Sequence, residues 1–330
     1  MTPHDARRAD TRGLWLMVAS AACFAAMAPF SRRFLQAIEP QSIVLARAVV
    51  MTALFAAWGA LRGIPLAGRD RRGLLLRGVV GWLAISCYVW STQHLPSGQA
   101  VLLQYSHPVF VALLAPWLLR ERPGPLHWPL VLLGLAGLAV ALEVGASFER
   151  AAAIGLIGAL LSGVAYLTVR RISATERPLT IVFWFSWVML PCSLASFALP
   201  ESLIDGVAAR LGALPASALT GAQRHVLPRD GGEWLGYAGV VVAGLIGQLT
   251  LTEGLKRAGA ARAVAVTMVG PLFGLAFDAC CFAIVPTPFA LAGTLLVVAA
   301  VALLAFLKPA APAPENDASA PLPSRGAFDA

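Results

Sequence analysis

The sequence predicts an all-α integral membrane protein, with ten transmembrane helices arranged as two inverted-topology five-helix repeats. Composition, the length of the apolar runs and an internal repetition lead to that class. Of 330 residues, 58% are hydrophobic and 13% charged, and the mean hydropathy is +0.74. A soluble domain is about half apolar and a quarter charged, so this chain is built mostly to face lipid. The net charge of +8 does not point to nucleic acid, because basic residues fall between apolar runs and never form a run of five like charges.

About 20 apolar residues cross the hydrocarbon core as a helix. On that basis the spans are 13–30, 42–61, 73–92, 98–119, 126–142, 151–169, 179–199, 234–255, 260–284 and 289–307. The first follows Arg7, Arg8 and Arg12 like a signal peptide, but Pro29 follows its Ala26-Met27-Ala28 site and many spans come after it, so it is read as an uncleaved helix. The runs are continuous, not alternating, which excludes barrel strands. With the N-terminus inside, 17 Lys and Arg lie on the inner side and 6 on the outer, leaving Arg47 and Arg77 within spans. The excess of inner positive charge predicts a multi-pass protein of the cytoplasmic membrane with both termini cytoplasmic.

The repetition sets the architecture. An offset of 138 aligns Arg32-Arg33 with Arg170-Arg171, Pro40 with Pro178, and Met51 with Met189. An offset of 163 aligns Gly81 with Gly244, Ala100-Val101 with Ala263-Val264, Pro108 with Pro271, and Phe110 with Phe273. An insertion at 200–233 accounts for the change of offset. The expected organisation is a cytoplasmic segment 1–12, repeats 13–143 and 151–307, and a disordered cytoplasmic tail 308–330 rich in Ala, Pro, Ser and Asp. Five spans per repeat invert the second copy, an arrangement of secondary transporters whose site lies near the midplane.

These features resemble the drug/metabolite transporter superfamily, each half being similar to an EamA-type domain. "GQAVLLQYSHPVFVALLAPWLLRER" resembles that family's fourth helix, with an acidic end at Glu121. "AARAVAVTMVGPLFGLAFDACCFAIV" follows the same pattern through Pro271 and Phe273, then departs from it at Asp278 and "VPTP". "LARAVVMTALF" looks like the second helix, with its Arg at Arg47. Of the paired glycines usual in the fifth and tenth helices, each repeat keeps one, Gly137 and Gly293. The resemblance spans 13–307 and implies a fold and export, not a substrate.

The polar residues inside the spans carry the functional expectations, because polar groups in lipid are costly and face a bundle interior or a wet cavity. Gln104, Tyr105, Ser106 and His107 precede Pro108, and two readings stand. In one they are interhelical hydrogen-bonding glue. In the other Pro108 frees a carbonyl into a cavity that they line, with Pro271 doing the same in the other half. Arg47 is too deep to snorkel and needs a partner. An ion pair with Asp278 is the favoured expectation; the alternative is a substrate carboxylate on Arg47 with proton coupling through Asp278. Tyr88 and Gln248 are candidate lining residues, as are Trp15 and Phe24. Trp184 with Trp187 could form an aromatic wall, although core packing is the commoner outcome. Glu253 reads as a surface pair with Lys256 and Arg257, Glu143 as solvated, and Trp90 as an interfacial belt residue. Gly270 and Gly274 read as a close-packing pair.

The five cysteines lie in apolar segments without a Cys-x-x-Cys pair, and the five histidines lack metal-ligand spacing, so no metal site and no cofactor are expected. There is no phosphate-binding loop for ATP. The expectation is a secondary transporter moving a small organic metabolite, an amino acid or drug-like compound, outward by alternating access, with proton or ion coupling or exchange. The rivals are a flippase for a lipid-linked substrate and an intramembrane lipid-modifying enzyme. The enzyme would want a carboxylate pair or metal ligands on one helix face, and neither is visible.

Overall fold

The computed structural model describes residues 3–118, 125–143, 151–197, 225–257 and 266–306. The described helices are α1 (Pro3–Phe34), α2 (Pro40–Leu61), α3 (Arg71–His94), α4 (Ser97–Tyr105), α5 (His107–Leu118), α6 (His127–Ala141), α7 (Ala152–Ile172), α8 (Pro178–Ser196), α9 (Gly231–Arg257), α10 (Gly270–Phe282) and α11 (Pro288–Phe306). Among the described residues there is no strand, only an isolated bridge between Ile38 and His225.

Among the described residues, seven stretches are long and apolar enough to cross a membrane: Thr11–Phe34, Pro40–Leu61, Arg71–His94, Ser97–Leu118, Ala152–Ile172, Pro178–Ser196 and Gly231–Leu251. His127–Ala141, Gly270–Phe282 and Pro288–Leu304 are shorter apolar helices. The fourth expected span is one apolar stretch but two helices, broken at Ser106. The tail from 308 and most of the insertion at 200–233 lie outside the described residues, as do the side chains of Glu253, Lys256 and Arg257.

Local chemistry starts several helices where the hydropathy alone would not. Pro40 and Pro178 each open a helix, α2 and α8, where the missing N–H costs nothing and φ is already helical. The Asp70 carboxylate accepts from the Gly73 N–H at 3.0 Å and caps α3. Ala283 ends α10 in the left-handed region at φ 55°, and the N–H groups of Ala283 and Ile284 both turn back to the Asp278 carbonyl.

The helices pack in pairs: α1 along α9, α3 along α7, α2 on α8, α4 on α10, and α6 on α11. One apolar cluster joins α1, α4, α5, α6 and α11, with Val109, Leu138 and Val297 at its heart. A second joins α1, α2, α3, α8 and α9 through Met27, Val44, Tyr88 and Met189. Glycines make the closest crossings. A Cβ on Gly293 would lie 2.5 Å from the Gly137 carbonyl and 2.3 Å from the Ala141 nitrogen, so the single glycine kept by each repeat meets the other where α6 crosses α11. A Cβ on Gly274 would meet Val101 at 2.9 Å, and one on Gly270 would enter the Tyr105 ring at 2.5 Å. That is the packing role expected of the pair.

Candidate functional site

The site grows from the break at Ser106. Pro108 has no N–H, so the Gln104 carbonyl four residues earlier loses its helical donor. His107 Nδ1 lies 2.7 Å from that carbonyl. A carbonyl only accepts, so Nδ1 carries a proton and donates. The Ser106 hydroxyl donates to the Leu103 carbonyl at 2.7 Å. The backbone closes with tight bonds from Ser106 N–H to Leu103 O and from Val109 N–H to Ser106 O, at 3.2 and 2.9 Å. This corrects the expectation for Pro108: the carbonyl it frees is capped by the neighbouring imidazole rather than offered to the cavity. The ring itself stacks on Tyr166, centroids 4.3 Å apart and 19° between planes.

His107, Pro108, Gln104 and Tyr105 line a cavity of about 460 Å³ bounded by α1, α2, α3, α4, α5, α7, α8 and α9. Arg47, Tyr88 and Gln248, predicted from the sequence, line it too, and so does Phe24. Tyr88 and Tyr105 also serve as ties: their hydroxyls donate to the α1 carbonyls of Phe24 and Ala21 at 3.2 and 3.4 Å. The Gln104 amide reaches the Ser162 hydroxyl at 3.4 Å. The same residues therefore bond between helices and face the cavity.

Three arginines line the cavity, Arg47, Arg77 and Arg170, and the first two carry buried N–H groups. Arg47 is 4% exposed; its Nη1 faces the Met27 sulfur at 3.9 Å, and its Nε has no hydrogen-bond partner among the described residues. Arg77, left without a role by the sequence, lines the same cavity. Its guanidinium lies 4.3 Å over the Phe185 ring, and its Nε and Nη1 are buried without a hydrogen-bond partner among the described residues. The sequence places it within the third span, four residues after its start at 73, and gives it no further signal. Tyr166 and Ser162 were missed as well, because isolated hydroxyls in α7 carry no spacing signal.

Asp278, Trp184 and Pro271 lie elsewhere. The expected Arg47–Asp278 pair is not formed: Asp278 accepts from the Ser97 and Gly98 N–H groups at 2.9 and 2.5 Å, and Arg32 is its ion-pair partner at 3.7 Å. It thus caps the start of α4 from α10, satisfying orphan donors while opposing the helix dipole. Trp184 donates to the Leu66 carbonyl at 2.8 Å, tying α8 to the loop before α3, while Trp187 stacks with Phe183 instead; neither lines the cavity. Pro271 is the second residue of α10, where proline fits a helix start, and it does not line the cavity. Trp15 is 69% exposed, and Trp90, expected at the interface, is fully buried and stacked on His94. Glu143, expected to be solvated, accepts from the Thr287 hydroxyl at 2.5 Å.

A second carboxylate does at the other end of the bundle what Asp278 does at its own. Glu176, in the α7–α8 turn, is buried and accepts from the backbone N–H groups of Arg69 and of Asp70, the latter at 2.6 Å. Among the described residues no group of His, Cys, Asp and Glu is arranged to hold a metal ion.

The EamA-like transporter family matches residues 11–142 and again 150–306. The chain belongs to that family. It is 26% identical over 298 residues to the "Pseudopaline exporter CntI" of Pseudomonas aeruginosa (strain UCBPP-PA14), covering 88% of this chain and 95% of that one. It is 26% identical over 221 residues to the "Probable terminal-alkyne amino-acid exporter" of Streptantibioticus cattleyicolor, covering 63% and 73%. A solved crystal structure superposes with a TM-score of 0.55 at 20% identity, covering 92% of this chain and 98% of that one, a likeness of fold. This EamA-family chain is a multi-pass membrane transporter, not an enzyme.

Proposed function

We propose that the protein exports a small organic metabolite across the cytoplasmic membrane by alternating access, and that the cavity is its transport site. The observation that carries this is the cavity's construction. It lies between α1–α5 and α7–α9, so both family matches contribute walls, and it is lined by few polar groups set among aromatic and aliphatic ones, as ligand sites are. Arg47, Tyr88, Gln104, Tyr105, His107 and Gln248 are its proposed substrate contacts. The two units are 13–143 and 151–307, ten spans as an inverted repeat, with both termini cytoplasmic.

The helix pairing supports the inverted repeat. Numbering spans with α4 and α5 as one, the pairs are first with eighth and third with sixth, second with seventh, fourth with ninth, fifth with tenth. A twofold relation that exchanges the halves maps this set onto itself. The carboxylates support two gates: Asp278 joins α10 to α1 and α4 at one end, and Glu176 joins the α7–α8 turn to the α2–α3 loop at the other. Movement would be driven by exchange or by a proton or ion gradient.

The test is metabolite profiling inside and outside cells that express the wild type, Arg47→Ala or an empty vector. A compound displaced outward by the wild type alone is the expected result. Unchanged metabolites with an altered lipid species would replace this reading with lipid flipping.

A further inference from the structure

We propose that the cavity takes an organic anion, a small carboxylate with an apolar or aromatic body, its charge held by Arg47 and Arg77. This rests on the reading of the cavity as the transport site. Both guanidiniums carry buried N–H groups that no described residue accepts from. A buried N–H group without an acceptor is costly in a protein interior, so these are the groups that an entering acceptor would satisfy. Among the described lining residues there is no Asp or Glu. The buried carboxylates that could have served are committed elsewhere, Asp278 to Ser97, Gly98 and Arg32, and Glu176 to Arg69 and Asp70.

The seating of the two arginines follows the internal repeat. Arg47 lies over Gly244, where a Cβ would come within 3.3 Å of its Nε; Arg77 folds over Gly81, where a Cβ would come within 2.1 Å of its Nη1. Gly81 and Gly244 are one of the pairs aligned at the offset of 163, and at the offset of 138 Arg47 aligns with Phe185. The second half therefore places an aromatic ring where the first places a cation, and Arg77 lies across that ring at 4.3 Å. The result is a cation in each of two corresponding positions around one cavity. Guanidinium forks match carboxylate geometry, and lining residues such as Phe24, Ile85, Val111 and Leu251 suit an apolar body.

The experiment pairs two readouts on the full chain. The charge at neutral pH of every compound displaced by expressing cells is determined. In parallel, the purified chain in lipid nanodiscs is heated with the anion-exchange, cation-exchange and unretained fractions of a small-molecule extract of the same cells. The expected result is that displaced compounds are carboxylates and that only the anion fraction raises the melting temperature. Arg47→Gln and Arg77→Gln should each weaken that fraction's half-saturating concentration about tenfold or more, the loss of one charge-assisted contact, while Arg77→Lys retains part of it. Displacement or stabilisation by cationic or neutral compounds alone overturns the inference and leaves transport standing. Stabilisation by anions with nothing displaced upholds the anion site and removes the transport reading. Neither displacement nor stabilisation overturns both. The wild-type readouts decide the matter even if a variant fails to fold.

Discussion

His107 holds the break in the fourth span by giving the Gln104 carbonyl the hydrogen bond that Pro108 cannot. His107→Ala leaves that carbonyl without a donor and should cost roughly 1–3 kcal/mol, read as a lower melting temperature in nanodiscs. Pro108→Ala restores a backbone N–H to the same carbonyl. It should keep or raise stability while export falls, because the helix straightens and the ring leaves Tyr166; unchanged export would detach the break from function. Arg47 gives the opposite pairing of signs. Its charge is buried with an unsatisfied Nε, so Arg47→Met should stabilise the protein, on the order of 1–4 kcal/mol by analogy with buried ion groups replaced by apolar ones, while abolishing export. A melting temperature that fell with Arg47→Met would mean the guanidinium is fully paired inside the fold. At this scale the sequence was partly legible. An arginine deep in an apolar run announces itself, and so does a polar turn before a proline. Arg77 did not, since its cation is folded back over Gly81 and Phe185 by contacts that no local pattern records.

Helix crossings depend on the absence of side chains at a few points. At the α6–α11 crossing the atoms facing Gly293 are backbone and cannot yield as a flexible side chain would. Gly293→Ala should therefore sharply reduce the yield of monodisperse protein in size-exclusion chromatography, whereas Gly63→Asn, at a position with φ +59° and open space around it, should leave yield unchanged. Asp278→Asn keeps the shape of the α10–α4 contact but removes the charge from two backbone bonds and from Arg32. A loss of about 1.5–3 kcal/mol is expected, again as a lower melting temperature. The apolar runs could be read from hydropathy and from signals such as Pro40 and Pro178 at helix starts, most with ends within a few residues of a described helix. The partner of Asp278 could not be read, because it is formed by backbone amides that lie 180 residues away in the chain.

On the scale of the whole molecule, the two carboxylate ties fasten opposite ends of the bundle, each between the two segments that match the family. Replacing Arg69 and Glu176 by cysteines in a background where Cys23, Cys87, Cys192, Cys280 and Cys281 are serine, then joining them with a short bis-maleimide, should stop export. Joining cysteines at positions 32 and 278 should do the same, and each lock should act without the other. Export that survived either cross-link would show that the corresponding end need not part. These ties also bear on how such a protein can change over generations. Both carboxylates grip main-chain amides, and every residue except proline carries one. Ser97 and Arg69 can thus change with little effect on the amides that Asp278 and Glu176 grip, so a search for coordinated substitutions would find the Arg32–Asp278 ion pair and miss the amide contacts beside it.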